Sequence, residues 1–235
     1  MKINCDIGER GFDNKVDAEL MQFVDIANIA CGGHAGDPKS IKIFRSLAEK
    51  FNVELTAHLS YPDKENFGRR SMDISIAKLK DALDQQFNLM SDIKSVKLHG
   101  ALYNDCWLDE DLAKAITEWL LAREITTVIA PHNSALASLC SQAGIKIIPE
   151  AFAERRYNFD PVTKKLTLVS RSHQYASIHS VEDAVKQSRE IKEGYVNAFI
   201  DSSLKIKECS LKAETICIHS DSPIALNLAK RLQNV

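Results

Sequence analysis

The sequence lacks a long run of basic residues and a long run of apolar ones. Its 235 residues include 30 Lys and Arg against 32 Asp and Glu, a formal net charge of -2, so neither nucleic acid nor a membrane surface is indicated as a partner. No stretch of about 18 uncharged apolar residues is present, and no charged and apolar leader follows Met1, which disfavours membrane spanning and export. We therefore expect a cytoplasmic protein that acts on a small molecule.

Several motifs with well-defined chemistry are also missing. No G-x-G-x-x-G follows the first apolar run, and no G-x-x-x-x-G-K-[ST] occurs, so a Rossmann cofactor site and a P-loop are unsupported. The 6 cysteines show no C-x-x-C spacing. Because Cys5, Cys31 and Cys217 lie within apolar runs, we interpret all of the cysteines as structural thiols.

Short apolar runs alternate with longer amphipathic segments along most of the chain, as expected of βαβ units around a parallel sheet. At this length, a closed or nearly closed barrel of about seven parallel strands is favoured over an open doubly wound sheet. The predicted fold class is α/β, a single-domain distorted TIM-like (β/α) barrel over residues 1–235. Strands are predicted at 2–7, 26–31, 53–58, 95–99, 126–131, 146–149 and 215–219, and helices at 38–51, 74–90, 109–122, 135–143, 181–192 and 223–232.

One part of the chain, about residues 158–212, departs from this alternation of apolar runs and amphipathic segments. Pro161 and the pair Lys164 and Lys165 indicate a turn between short extended pieces, and residues 166–169 alternate only weakly. We interpret this part as an irregular excursion from the barrel, since no linker, repeat or low-complexity tract marks a second domain.

The stretch DIANIACGGHAGDP, residues 25–38, combines a buried strand, a glycine turn and a helix start. Pro38 suits the first turn of a helix and Asp37 can cap it, so backbone N–H groups would point into the loop that contains His34. This arrangement suits an anion. A plain strand-to-helix connection with a capping Asp and a solvated His is the alternative.

Polar side chains follow the predicted strands. In a parallel barrel the carboxyl ends of the strands meet at one mouth, where active sites are assembled from several loops. The sequence therefore predicts that one set of residues converges there: Asp6, His34, His58, His99, His132, Glu150 and His219.

Lys97 lies two residues before His99, so both side chains should face the barrel interior. A buried lysine needs a partner, and Asp6 and Glu150 are the available carboxylates. Such a lysine can polarise a carbonyl while one acid moves protons. A buried ion pair that only fills the barrel is the alternative.

Two loops add candidates for substrate binding. The loop after the third strand contains Arg69 and Arg70, which suit bidentate binding of a carboxylate or phosphate. Surface ion pairs with Asp63 or Glu65 are the alternative. The loop after the fourth strand offers a phenol and an amide near the same mouth, from Tyr103 and Asn104.

Aspartate and histidine at strand ends are also usual ligands of zinc and related ions. A second hypothesis is therefore a metal-dependent hydrolase that acts on an N-acyl or sugar substrate, with Asp6, His58 and His99 as ligands. This hypothesis depends on convergence alone and is the less favoured one, because the sequence has no H-E-x-x-H and no close pair of histidines.

Several loops together resemble the family of bacterial 5-oxoprolinase A subunits, also called the LamB/YcsF lactam-utilisation family. The matching segments follow the family's order and cover nearly the whole chain. They are NCDIGE at 4–9, ANIACGGHAGDP at 27–38, AHLSYPD at 57–63, FGRR at 67–70, KLHGALYN at 97–104, EAFAERRY at 150–157 and TICIHSDSP at 215–223. Arg10, Gly33, Leu59 and Ser220 depart from the family's usual residues, and we expect Gly33 and Leu59 to alter the shape of the pocket.

The resemblance implies a barrel similar to that of polysaccharide deacetylases and a catalytic role in the ATP-dependent opening of 5-oxo-L-proline to L-glutamate. It implies ATP, with Mg²⁺, as cofactor and B and C subunits as partners, and association between copies of this chain is left open. A third hypothesis is a non-catalytic chain that only binds a ligand for its partners. The catalytic candidates are Asp6, Lys97, His99 and Glu150, and the substrate-binding candidates are Asn28, His34, Asp37, His58, Tyr61, Arg69, Arg70, Tyr103, Asn104 and His219.

Overall fold

The computed structural model describes residues 1–200 and 205–235, and seven of its strands form a closed parallel barrel. These strands are β1 (Lys2–Ile7), β2 (Ile26–Ala30), β3 (Glu54–Leu59), β4 (Ser95–Leu98), β5 (Thr127–Ala130), β6 (Lys146–Phe152) and β11 (Thr215–His219). Around the barrel they pair in the order β1, β11, β6, β5, β4, β3, β2. The predicted (β/α) barrel of about seven strands is confirmed.

Helices follow most of the barrel strands. They are α1 (Lys15–Leu20), α2 (Pro38–Phe51), α3 (Ile76–Phe87), α4 (Gly100–Leu108), α5 (Glu110–Ala122), α6 (Ala135–Gln142), α7 (Val181–Lys192) and α8 (Ala225–Leu232), with a 3-10 turn at Asn88–Met90. The sequence predicts six of these helices to within a few residues and does not predict α1 or α4. None of the helices in the described ranges has the length and apolar character needed to cross a bilayer.

The barrel strands separate apolar from polar side chains by their two-residue period. Along β1, Ile3 and Cys5 belong to the apolar core, which is built from the outer face of the barrel and the inner faces of the helices. The alternate residues Asn4 and Asp6 instead contact the Lys97 ammonium, which comes from β4 inside the barrel. The interior of this barrel is therefore polar at the level of these residues.

A second sheet is formed by the part of the chain that the sequence presents as an irregular excursion. Its strands β7 (Tyr157–Phe159), β8 (Leu166–Leu168), β9 (Tyr195–Ile200) and β10 (Ile206–Ser210) lie in the order β10, β9, β7, β8. The Phe152 backbone nitrogen donates to the Tyr157 hydroxyl oxygen at 2.8 Å. Gln187 of α7 donates to the Phe152 carbonyl oxygen at 2.9 Å, so the second sheet and its helix are fixed to the end of β6.

The N-terminus of α2 is capped by Asp37, as its sequence predicts. The carboxylate accepts hydrogen bonds from the backbone nitrogens of Lys39 and Ser40 at 2.8 Å, and the Ser40 hydroxyl completes a capping box. Asp37→Ala should therefore lower the free energy of unfolding by about 1 kcal/mol, within a range of about 0.5 to 2. Urea unfolding measures the change. Asp37→Asn keeps an N-cap acceptor and is the matched control, so equal losses in the two variants would contradict the capping role.

The 6 cysteines are free and buried. Burial raises the pKa of the Cys31 thiol to about 12, and it raises the pKa of Cys5 well above its usual value. A buried thiol with a raised pKa stays protonated at neutral pH and is a poor nucleophile. This agrees with the interpretation of these residues as structural thiols.

Candidate active site

Lys97 lies at the centre of an ion network inside the barrel. Its side chain is 2% exposed, and its Nζ lies 2.9 Å from Asp6 Oδ1 and 2.8 Å from Glu150 Oε1. The ammonium also lies 3.1 Å from Asn4 Oδ1 and 3.2 Å from Cys217 Sγ. Burial opposes its charge, but the attraction of Asp6 and the other negative groups raises the pKa of Lys97 well above its usual value. The lysine is therefore a cation held between two carboxylates.

The two carboxylates beside this ammonium differ in their access to the cavity. Glu150 accepts a hydrogen bond from the Tyr103 hydroxyl through Oε2 at 2.8 Å, so both of its oxygens are engaged. Asp6 Oδ1 binds the ammonium and accepts from Asn28 Nδ2 at 2.9 Å, whereas Oδ2 lies 3.3 Å from His58 Nε2. Asp6 lines the cavity and Glu150 does not. Asp6 is thus the carboxylate that can reach a bound molecule.

Glu9 and three histidines form a second buried cluster, next to the ion network. Glu9 Oε1 lies 3.0 Å from His34 Nε2, 3.5 Å from His58 Nε2 and 3.2 Å from His99 Nδ1. The rings of His34 and His99 stack with their centroids 3.6 Å apart. Burial opposes ionisation of Glu9, but hydrogen bonds with the three histidines lower its pKa well below the usual value. The cluster therefore contains an ionised carboxylate.

The three histidines of this cluster differ in pKa. Burial lowers the pKa of His34 to about 3 and also lowers the pKa of His99. Burial acts in the same direction on His58, but the charge of Asp6 and hydrogen bonds to carboxylates outweigh it and raise the pKa to about 9. In the metal-free cluster these shifts favour a charged His58 beside neutral His34 and His99.

For the metal-free chain, we expect the free energy of unfolding to fall as the pH rises through about 9. The pKa of His58 in the folded protein lies above the 6.5 of an unperturbed histidine, so its stabilising effect is fully present below pH 6.5 and is lost as the pH passes the folded pKa. Urea unfolding between about pH 7 and about pH 10 measures this loss. His58→Gln should show a smaller pH dependence, and an equal one would contradict the raised pKa.

Three arginines line the outer part of the cavity, namely Arg69, Arg155 and Arg171. The buried Arg155 guanidinium donates to two backbone carbonyl oxygens at 2.7 and 3.2 Å. Burial and the charge of Arg171 lower its pKa to about 10, so it is still a cation at neutral pH. Arg69 Nη2 lies 3.0 Å from Asp221 Oδ2. The rim is therefore cationic and only partly neutralised.

The cavity has a narrow inner part of about 50 Å³ and a wider outer part of about 470 Å³. The inner part is lined by residues from five barrel strands or the loops that follow them, including Asp6, His58, Lys97, His99 and His219. Arg69, Arg155 and Arg171 border both parts, so the two are continuous. A larger groove of about 590 Å³ lies against α2, but the described residues that line it include no histidine.

Most of the predicted site residues lie around this cavity or in direct contact with its lining. Asn28 binds Asp6, and His219 is held by Glu154, whose Oε1 accepts from the His219 backbone nitrogen and lies 2.8 Å from Nδ1. The residues brought together are Asp6, Asn28, His34, His58, Arg69, Lys97, His99, Tyr103, Asn104, Glu150 and His219.

Four predicted residues lie elsewhere. The Asp37 carboxylate is used as the cap of α2, and the Tyr61 hydroxyl donates to Asp105 Oδ2 at 2.9 Å, away from the cavity. Arg70 is exposed and lines no part of the cavity. The predicted convergence is wrong for His132, which is exposed because a tight turn between Pro131 and the start of α6 directs it outward.

The two departures expected to reshape the pocket do not border it. Leu59 belongs to the apolar core outside the barrel, because its position on β3 alternates with that of the inward His58. A Cβ on Gly33 would lie 2.2 Å from Gln86 Oε1, so no larger residue fits without movement. The Gln86 amide instead binds the backbone nitrogen and carbonyl oxygen of Ser60, each at 2.9 Å.

The residues of the site that were not predicted as candidates include Glu9, Arg155 and Arg171. Glu9 lies in the segment NCDIGE and Arg155 in the segment EAFAERRY. Both segments match the family, so this match could have indicated the two residues as candidates. Arg171 follows β8 in the second sheet, where the sequence gives no sign that the chain returns to the barrel mouth.

The comparisons with known proteins agree with this architecture. A protein-family model described as the LamB/YcsF family matches residues 1–235. The chain is 36% identical over 243 residues to a protein of Campylobacter jejuni subsp. doylei named as a 5-oxoprolinase A subunit, covering 98% of this chain and 91% of that protein. It is 38% identical over 245 residues to a Pseudomonas syringae pv. tomato protein named as 5-oxoprolinase A subunit 3, covering 99% and 92%.

A solved structure shows the same fold. The crystal structure of a lactam utilization protein from Thermus thermophilus superposes with a TM-score of 0.84 at 28% sequence identity, and the match covers 100% of this chain and 96% of that one.

Proposed function

Because the chain belongs to the LamB/YcsF family, we propose that it is the component of a 5-oxoprolinase that binds 5-oxo-L-proline and carries the residues that open its lactam to L-glutamate. The observation that supports this most is the cavity itself. Its inner end holds the Lys97 cation beside Asp6, and its rim carries three arginines. Relatives similar over nearly the whole chain are named as 5-oxoprolinase A subunits.

The substrate suits a cavity of this polarity. 5-Oxo-L-proline has a carboxylate and an amide in a five-membered ring, and the rim arginines can bind that carboxylate in a bidentate manner. The lactam would then enter the inner part of the cavity, where Lys97 can stabilise negative charge that develops on its oxygen.

The reaction also needs activation of the amide. The five-membered lactam is an unstrained amide with a poor leaving group, so coupling to ATP is expected. Transfer of the terminal phosphoryl group of ATP to the amide oxygen, with release of ADP, would make the carbon electrophilic. Attack by water and cleavage of the C–N bond would then give an acyl phosphate, and a second water would hydrolyse it to L-glutamate and phosphate. Arg69, Arg155 and Arg171, which border the inner part of the cavity as well as the outer part, would neutralise the phosphate. We propose that ATP, with Mg²⁺, is supplied together with B and C subunits, in keeping with the names of the relatives, which denote one component of a larger enzyme.

Asp6 is the carboxylate that we assign to the attacking water. Burial alone would raise its pKa, but the charges of His58 and Lys97 lower it well below the usual value, so Asp6 is ionised and can accept a hydrogen bond from water. Glu150 is fully engaged by Lys97 and Tyr103. Its role is to position the lysine, and His99 lines the cavity beside Lys97.

The proposal is tested by reconstitution with purified B and C subunits. With the full chain, ATP and 5-oxo-L-proline, L-glutamate should form, and omission of either the chain or ATP should stop its formation. Glutamate formation by the B and C subunits alone would reduce this chain to a ligand-binding role. No glutamate from the complete mixture, with binding of all three components confirmed, would contradict the proposal.

A further inference from the structure

Four ligand atoms meet in the buried cluster of Glu9, His34, His58 and His99. All four lie within 4.8 Å of one another. Glu9 Oε1 is 3.0, 3.5 and 3.2 Å from the three histidine nitrogens, and His58 Nε2 is 3.0 Å from His99 Nδ1. A tetrahedral ion with ligands about 2.0 to 2.1 Å away holds those ligands about 3.3 Å apart. These four separations are close to that spacing. Because a metal ion lies in the plane of the imidazole that binds it, binding by all four residues would turn the ring of His34 out of its stack with His99.

The hydrogen positions required at His58 and His99 also indicate a cation. His58 Nδ1 lies 3.2 Å from the Lys97 carbonyl oxygen, and His99 Nε2 lies 3.0 Å from the Phe67 carbonyl oxygen. Carbonyl oxygens only accept, so both of these nitrogens carry hydrogen. If both rings are neutral, the other two nitrogens, His58 Nε2 and His99 Nδ1, carry no hydrogen. These two nitrogens lie 3.0 Å apart, so their lone pairs would face each other. That contact requires a positive species, either an extra proton or a metal ion.

We propose that Glu9, His34, His58 and His99 bind one divalent transition metal ion. Three imidazole nitrogens and one carboxylate oxygen form a donor set that suits zinc, cobalt and similar ions more than magnesium or calcium. The site differs from the one expected from the sequence, which combined Asp6 with His58 and His99. It does not depend on the proposed reaction.

Two of the three histidines have the surroundings of metal-binding residues, whereas His34 Nδ1 is buried without a hydrogen-bond partner among the described residues. Such residues usually donate their second nitrogen to a carbonyl or carboxylate, which fixes the ring and its tautomer, and His58 and His99 both do so. Gly68 brings its backbone against the cluster: a Cβ there would lie 3.0 Å from His34 Cβ and 3.2 Å from His99 Cδ2. The rings are therefore held in place by packing as well as by hydrogen bonds.

A second group of ligand-type residues, Asp6, Cys217 and His219, carries no such proposal. The Lys97 ammonium already lies 2.9 Å from Asp6 Oδ1 and 3.2 Å from Cys217 Sγ. That position is thus occupied by a cation of the protein itself.

Titration of the metal-free full chain, without a histidine tag, with Zn²⁺ and with Co²⁺ tests the proposal. We expect one ion per chain and, with Co²⁺, visible absorption bands of a tetrahedral complex. Glu9→Gln and His34→Gln, checked for folding by circular dichroism, should weaken binding by more than about 100-fold, since loss of an outer partner of a ligand alone costs about 10- to 100-fold. His132→Gln changes an exposed histidine outside the cluster and should bind as the unchanged chain does.

Three outcomes would overturn the proposal. The first is an unchanged chain that binds no ion, which would leave an imidazolium as the cation of the cluster. The second is equal affinity in the unchanged chain and in the folded Glu9→Gln and His34→Gln variants. The third is a loss of binding in His132→Gln, which would place the ion at the surface. Each readout is a property of the chain alone, so failure of the glutamate assay has no bearing on it.

Discussion

Asp6→Asn should lower glutamate formation by the reconstituted enzyme by about 100- to 10,000-fold, which is the usual contribution of a positioned acid or base. The asparagine keeps the shape of the side chain and an oxygen for Lys97 Nζ, but it removes the negative charge that orients water. Burial and the partners Asn28 and His58 hold this group in place. The measurement is kcat for L-glutamate release at saturating ATP.

The matched control for this variant is Asp13→Asn, because Asp13 lies outside the cavity and near the surface. It carries the same chemical change and should retain full activity. Activity of a folded Asp6→Asn chain within a few-fold of the unchanged enzyme would remove Asp6 from the reaction.

Lys97→Met should lower the free energy of unfolding by about 3 to 5 kcal/mol, because removal of one member of a buried ion pair leaves its partner charges unpaired. Here the residual charges are Asp6 and Glu150, which lie 2.9 and 2.8 Å from the ammonium. The variant should also be inactive. Urea unfolding at about pH 7 measures the change in stability.

Lys94→Met is the control for this effect, since Lys94 forms an exposed ion pair with Glu124. Surface ion pairs contribute about 0 to 1 kcal/mol to the free energy of unfolding, so Lys94→Met should lower it by no more than that. Adding Glu150→Gln to Lys97→Met should recover part of the lost stability, because one unpaired charge is removed. A loss below about 1 kcal/mol in Lys97→Met would contradict a buried ion network.

The barrel could be predicted because its strands are short apolar runs separated by amphipathic helices, a pattern that depends on local sequence alone. The inward position of Lys97 could be predicted for the same reason, from the two-residue period of β4. The placement of Asp6 beside it follows from the parallel order of the strands, which brings the ends of β1 and β4 to one mouth.

Helix α4 illustrates what local patterns miss. It begins at Gly100, which has a φ of +57°, and its first turn has neither a side-chain cap nor an acidic residue. A Cβ on Gly100 would lie 2.4 Å from the Gly68 carbonyl oxygen, so the glycine is required by packing against another loop. Its buried residues begin with the consecutive Ala101, Leu102 and Tyr103, and only Cys106 and Trp107 continue the helical spacing within its 9 residues, which is too short a stretch to show the period clearly.

The parts of the site that could not be predicted depend on contacts between distant segments. Glu9 reaches the histidines only because the chain turns at Gly8, whose φ is +82°. The positions of Arg155 and Arg171 depend on how the second sheet packs over the barrel. The sequence of that sheet is only weakly periodic, so the register of its strands could not be predicted. The position of a residue along a strand can be predicted from local sequence, whereas the path of a loop depends on contacts with distant segments.

A crystal structure of the full chain with 5-oxo-L-proline bound is the sharpest test of the barrel mouth as the substrate site. We expect the ligand carboxylate at the rim arginines Arg69, Arg155 and Arg171, and the lactam carbonyl directed toward Lys97 and Asp6. A ligand bound in the groove against α2, with the barrel mouth empty, would contradict this assignment.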